Sequence, residues 1–214
     1  MDERNAAHLA VVLAGLREHG LLLMADQRLP SVATLVAGAP VRGSWWGHPS
    51  GHAIYAVATR LEALPEVASA KLVSGKDTWI HRRLWPALVG VEAARQPWQL
   101  DDRSTLARQL LAVVARAGAA RVGEIDELRH FGGRALGQAA RELERALLVY
   151  GESVHTAAGA HAKRLRTWER WAEDAGIVEE RRSAAEGQRQ LEDALARLNE
   201  RFGAHGRLPW PATQ

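Results

Sequence analysis

Arg134, Gln138, Arg141 and Arg145 follow one another at steps of four, three and four residues. On a helix that spacing places all four on one face. Three guanidiniums and an amide suit phosphate oxygens, and Arg and Gln are also the side chains that pair bidentately with base edges. Further along, His155, His161, Lys163, Arg164 and Arg166 gather in one stretch, and residues 134–170 hold 7 Lys+Arg against 4 Asp+Glu. The chemistry this suggests is nucleic-acid binding. An ordinary solvated face is the competing reading, because Glu142 and Glu144 interrupt the basic run and Arg/Glu pairs are common on helices.

A second unusual string is Gly43-Ser44-Trp45-Trp46-Gly47-His48-Pro49. Two adjacent indoles rarely both face one core. Trp45 and Trp46, with His48 beside them, therefore suit either the stacking of an unpaired base or a seal packed toward Trp79 and Trp85. His48 and His52 stand four apart, with His81 on a later segment, but no acidic or thiolate ligand accompanies them. Capping and core hydrogen bonding are the expected roles, and no metal site is expected. Glu124, Asp126 and Glu127 lie at the start of a short helix, where carboxylates favour the dipole. No phosphate-cradling glycine loop and no Ser/His/Asp constellation occurs, so no cofactor is expected.

The elements that must position these residues repeat along the chain. In the second half, Leu106, Leu110, Leu111, Val113 and Val114 mark a helix stopped by Gly118. A short strand at Val122 and a short helix over 124–128 follow. Gly132-Gly133 breaks the chain before a helix over 134–147, with Leu136, Ala140, Leu143 and Leu147 as its apolar stripe. Residues 147–150 and 153–156 read as extended, 157–161 as a turn, and 163–166 as a returning strand. In the first half the same order recurs: a helix over 3–19, an apolar stretch over 21–24, a short helix over 31–37, a helix over 50–64, then a hairpin with Lys76 in its turn and strands over 67–73 and 78–82. Both hairpins exit through a basic segment with a tryptophan, Arg82-Arg83-Leu84-Trp85 and Arg164-Leu165-Arg166-Thr167-Trp168.

Helix, strand, helix, helix, hairpin is the order of a winged helix-turn-helix. The sequence thus predicts an α+β chain, mainly helical: tandem winged helix-turn-helix units at 1–97 and 98–171, two β-hairpin wings, and a C-terminal helix with a Pro/Trp tail at 172–214. The second unit is the better reader of nucleic acid. The first carries only Arg60 as a cation on its third helix, and its other basic residues, Lys71, Lys76, Arg82 and Arg83, lie on or after the hairpin.

A chain of 214 residues can bury a full core in one or two domains. With no cysteine, disulfides, thiolate metal sites and a cysteine nucleophile are excluded. A formal charge of +3 is mild, so attraction to a polyanion must come from local patches. No apolar run is long enough for a membrane span and the N-terminus does not read as a signal peptide, which predicts a cytoplasmic or nucleoid-associated protein. Beyond residue 172 acidic residues outnumber basic ones, 8 to 6. A helix over 183–202 presents Leu191, Leu195, Leu198 and Phe202 on one side, which fits packing on the body or a homodimer seam. Trp210, between two prolines, is expected to dock on the surface.

At Ser44-Trp45-Trp46-Gly47-His48-Pro49, Lys71-Leu72-Val73-Ser74-Gly75-Lys76, His81-Arg82-Arg83-Leu84-Trp85-Pro86-Ala87-Leu88, and from Glu152-Ser153-Val154-His155-Thr156 to His161-Ala162-Lys163-Arg164-Leu165, the chain resembles the AlkZ-related bacterial proteins. The resemblance covers roughly residues 40–172. It implies kinship with winged-helix DNA glycosylases that remove alkylated bases and unhook crosslinks, and hence tandem winged helices, a DNA partner and a link to DNA repair. The glycosylase signature is glutamine, an apolar residue, then glutamine or aspartate. Here Gln188-Arg189-Gln190 keeps the spacing with an arginine at its centre, and no catalytic residue transfers. The leading expectation is a duplex-DNA-binding protein without catalytic activity. A glycosylase with Trp45 or Trp46 at the opened base, and a protein–protein interaction module, are the alternatives.

Overall fold

The computed structural model describes residues 3–155 and 161–211. Helix α1 (Glu3–His19) buries Val12 and Leu16 and ends at Gly20, whose φ of +83° terminates the turn as glycine allows. Strand β1 (Leu21–Leu23) follows directly. Ser31 then caps α2 (Val32–Ala37) by accepting the Thr34 N–H. Helix α3 (Gly51–Glu62) leads into the antiparallel pair β2 (Val67–Ala70) and β3 (Thr78–His81). Two short helices, α4 (Trp85–Glu92) and α5 (Pro97–Leu100), connect this half to the next.

The second half repeats the order. Ser104 caps α6 (Thr105–Ala117), Gly118 stops it at φ +72°, and β4 (Ala119–Arg121) follows. Two 3-10 turns lead to α7 (Gly132–Arg145), then β5 (Tyr150–His155), β6 (His161–Arg166) and α8 (Trp168–Ala175). Helix α9 (Ala184–Phe202) opens on a reciprocal Ser183–Glu186 capping box. The fold is α+β and mainly helical, with nine α-helices and two antiparallel three-stranded sheets among the described residues.

Both sheets have one topology. The strand before the helices pairs with the last strand, giving β1-β3-β2 and β4-β6-β5. In each half the middle strand of the chain starts five residues after its helix ends, at Val67 after Glu62 and at Tyr150 after Arg145. The two sheets approach through their edge strands β2 and β5, where the Tyr150 hydroxyl is hydrogen-bonded to Ser69.

Alternation along the first sheet explains its burial on both faces. Leu22, Val67 and Trp79 face α1, α2 and α3, whereas Leu21, Leu23, Ala68 and Ile80 face α4 and α9. The second sheet joins Leu165 to a separate core with Leu110, Val114, Leu136 and Leu143. An aromatic cluster ties the halves together: Trp85 lies 5.0 Å from Trp171, and Tyr150 lies 5.2 Å from both Trp168 and Trp171. Leu191, Leu195 and Leu198 are buried in the core that includes α4, so this stripe packs on the body. Trp210 is buried, donates to Glu192 at 2.8 Å and lies near Trp98.

Helices α4 and α9 approach through two glycines. A Cβ at Gly187 would overlap the Ala87 carbonyl oxygen, and one at Gly90 would overlap that of Arg182. Backbone cannot move aside as a flexible side-chain tip can. Gly187→Ala is therefore expected to destabilise the fold by about 1–3 kcal/mol. Gly123→Ala, exposed and with open space where its Cβ would stand, is expected to change stability by less than about 0.5 kcal/mol. Urea unfolding of the pair of variants checks both values.

Candidate nucleic-acid interface

Helix α7 is amphipathic because Leu136, Ala139, Ala140 and Leu143 pack on α6 and the sheet. It begins at Gly132, two residues before the expected start, and stops at Arg145. Leu147 leaves the helix at φ +53° and is buried in the other core, so it does not extend the stripe. On the outer face Arg134, Gln138, Arg141 and Arg145 are all exposed. None of the four forms a hydrogen bond or ion pair with the described residues.

The two glutamates that interrupt the basic run are directed elsewhere. Glu142 accepts from the Ser104 backbone N–H and hydroxyl at 2.7 and 2.8 Å, fixing the start of α6. Glu144 is buried and accepts from the Lys163 ammonium at 2.7 Å. Neither carboxylate cancels the arginines on the outer face.

The other basic candidates are engaged within the fold. Arg166 bonds Glu152 at 2.9 Å and also bonds Asp174. Burial opposes its charge, but these carboxylates outweigh that and hold the guanidinium pKa above its ordinary value. Arg164 stands 3.9 Å from Glu152, half exposed. In the first unit Lys76 pairs with Asp26 at 2.7 Å, Arg83 donates to the carbonyls of Arg17 and Glu18 at the end of α1, and the Arg82 guanidinium lies 5.5 Å from the Trp85 ring. The Arg83 contacts satisfy free carbonyls at a helix C-terminus, where a cation is favoured. The second hairpin's turn, 156–160, and the side chains of His155 and His161 lie outside the described residues. Arg145 rests beside Gly75, so the end of α7 reaches the first hairpin's turn next to Lys76.

Trp45 and Trp46 form a 3-10 turn seated on the start of α3. A Cβ at Gly51 would come within 2.9 Å of the Trp46 carbonyl oxygen, and its absence permits that seating. Their rings stack with centroids 4.3 Å apart, and Tyr55 lies 5.2 Å from Trp46. Trp46 remains 61% exposed. His48 Nδ1 accepts the Ser50 N–H at 3.1 Å, an orienting role at the helix entrance. His81 accepts from the Arg83 N–H, and no group of His, Asp or Glu among the described residues is placed to hold a metal ion.

These aromatics and Trp79 line a cavity of about 760 Å³ between α3, the first sheet and Ser153 of β5. Trp85 is not part of it, having gone to the aromatic cluster with Trp171. A polar crevice of about 380 Å³ adjoins the cavity, sharing Glu62, Ser69, Asp77 and Ser153 with it. Lys71 pairs with Asp77 there at 2.6 Å. Sequence reasoning missed Glu62 and Asp77 because only the packing of the end of α3 beside the β2–β3 hairpin brings them together. Glu62 makes no hydrogen bond or ion pair with the described residues. Loss of hydration and then the Asp77 charge push its carboxyl up, with Lys163 partly opposing. Among the described residues no helix is long and apolar enough to cross a membrane. Compared with protein-family models, with curated proteins and with solved structures, the chain finds no match in any of the three.

Proposed function

We propose that the chain is a tandem winged-helix protein that binds duplex DNA, with α7 as its reading helix. The observation that carries this reading is the α7 row of Arg134, Gln138, Arg141 and Arg145, exposed and without intramolecular partners among the described residues. Side chains placed in this way are available to phosphate oxygens and base edges without first breaking a contact in the fold. The arrangement of the second half supports it: α6, the turn over Asp126–Phe131 and α7 follow in the order of a helix-turn-helix, and β5–β6 follow as a wing. The same element and strand order in the first half supports the tandem description. That half presents Arg60 alone among the cations of α3, which suits a supporting role rather than a second reader.

Fluorescence anisotropy of labelled duplex against the full chain, at two salt concentrations, tests the proposal. Binding that weakens steeply with salt is the expected result. No binding at low salt overturns it. The same titration with an alkylated base in the duplex reads lesion preference, the property that a base-excising relative of the glycosylases would need.

A further inference from the structure

We propose that the groove between the two halves, lined by Trp45, Trp46, Tyr55 and Trp79 and edged by Glu62 and Asp77, is a binding site for a flat organic cation. The cavity of about 760 Å³ is of the size that holds a small molecule. Four aromatic residues are among its lining, together with the carboxylates of Glu62 and Asp77.

Charge bookkeeping along the groove selects the ligand's sign. Asp77 is neutralised by Lys71, Glu144 by Lys163 and Glu152 by Arg166. Glu62 has no ion-pair partner among the described residues, Lys163 acting on it only at longer range, and it stands where aromatic cavity and polar crevice meet. A neutral apolar ligand seated on the indoles would strip water from that carboxylate and give nothing in return. An anion would be repelled. A cation gains twice, from the carboxylate and from the negative ring faces of Trp46 and Tyr55.

One buried polar group of the crevice points to a donor-bearing ligand independently of Glu62. Glu144, 7% exposed, lines the crevice, and its Oε2 has no hydrogen-bond partner. Buried polar atoms left in this way are uncommon in native folds. A head group with several N–H donors would supply what the crevice carboxylates can accept, while a planar body stacks on Trp46.

Isothermal titration of the full chain at pH 8 with 2-naphthamidinium and its neutral isostere 2-naphthamide tests the site. The amidinium is expected to bind saturably and at least about tenfold more tightly than the amide, and Glu62→Gln to remove most of that preference. Trp46→Ala is expected to weaken both probes, because it removes the stacking surface and not the charge. Glu62 and Trp46 are exposed, so circular dichroism of both variants should match the parent. Equal affinity for the two probes, no saturable binding of either, or an unchanged preference in Glu62→Gln would overturn the proposal.

Discussion

Replacing Arg141 and Arg145 together with alanine is expected to weaken duplex binding by about ten- to a hundredfold at low salt and to make the log–log salt slope shallower by about two. The slope is the sharper readout. Each guanidinium on a phosphate displaces roughly one condensed cation from the duplex, and losing two such contacts removes two from the count. Because both side chains are exposed and free of partners within the described fold, the variant should melt with the parent protein. The same change at Arg166 would not be informative, since that guanidinium joins β6 to Glu152 and Asp174 and its loss would disturb the fold itself. An unchanged affinity and slope in the folded double variant would remove α7 from the interface.

Stability is expected to fall as pH rises, and Glu92→Gln to abolish most of that fall. Glu92 sits at the end of α4, 4% exposed, with Oε1 unpartnered. Burial pushes its carboxyl up to about 9; the nearby Glu169 charge adds to this and Arg95 and Arg181 oppose it. Between the ordinary carboxylate value and about 9 the folded chain holds a proton that the unfolded chain releases. The sign follows: the unfolded state binds fewer protons, so the unfolding free energy declines as pH rises, with a limiting slope of about 1.4 kcal/mol per pH unit. The stabilising contribution is complete below the unfolded pKa and is lost as pH climbs through the folded one. At pH 8 the glutamine variant, which keeps the shape and carries no proton to lose, should be more stable by about 3–4 kcal/mol, or roughly 10 °C in Tm. Glu62, also raised, adds a smaller slope of the same sign, while His19 and His81, whose charged forms burial disfavours, contribute in the opposite sense below the ordinary imidazole value. Thermal melts of both proteins at pH 5 and pH 8 check this. A change in Tm from pH 5 to pH 8 that is the same in the parent and in Glu92→Gln would mean that Glu92 is solvated or paired in solution.

Most amphipathic helices were legible because their signals are local. Gly20, Gly118 and the Ser31 and Ser183 caps mark ends that depend only on neighbouring backbone. Helix α4 escaped sequence reading for a physical reason. Seven of its eight residues are buried, so it has no polar face to generate a period. Helix α8 escaped too: its tryptophans read as the exit of a hairpin, and only the Thr167 cap hints at a helix start. The first strand of the second sheet was placed at Val122 but lies at Ala119–Arg121, where pairing with β6, and not local apolarity, defines it.

The row on α7 was fixed by sequence spacing alone, since a helix turns by the same angle wherever it is placed. That the row is unencumbered was decided by tertiary structure, which carries Glu142 to Ser104 and Glu144 to Lys163. The same holds for the basic residues of the hairpins. Their number is in the sequence, but ion pairs with Asp26, Glu152 and Asp174 between distant segments determine which remain available. The groove belongs wholly to the second category. Trp46, Glu62, Asp77 and Ser153 carry no common motif, and the approach of two edge strands and a helix end brings them together. Local backbone preference acts over a few residues and leaves its mark in the chain, whereas neutralisation and cavity shape are properties of contacts between remote parts.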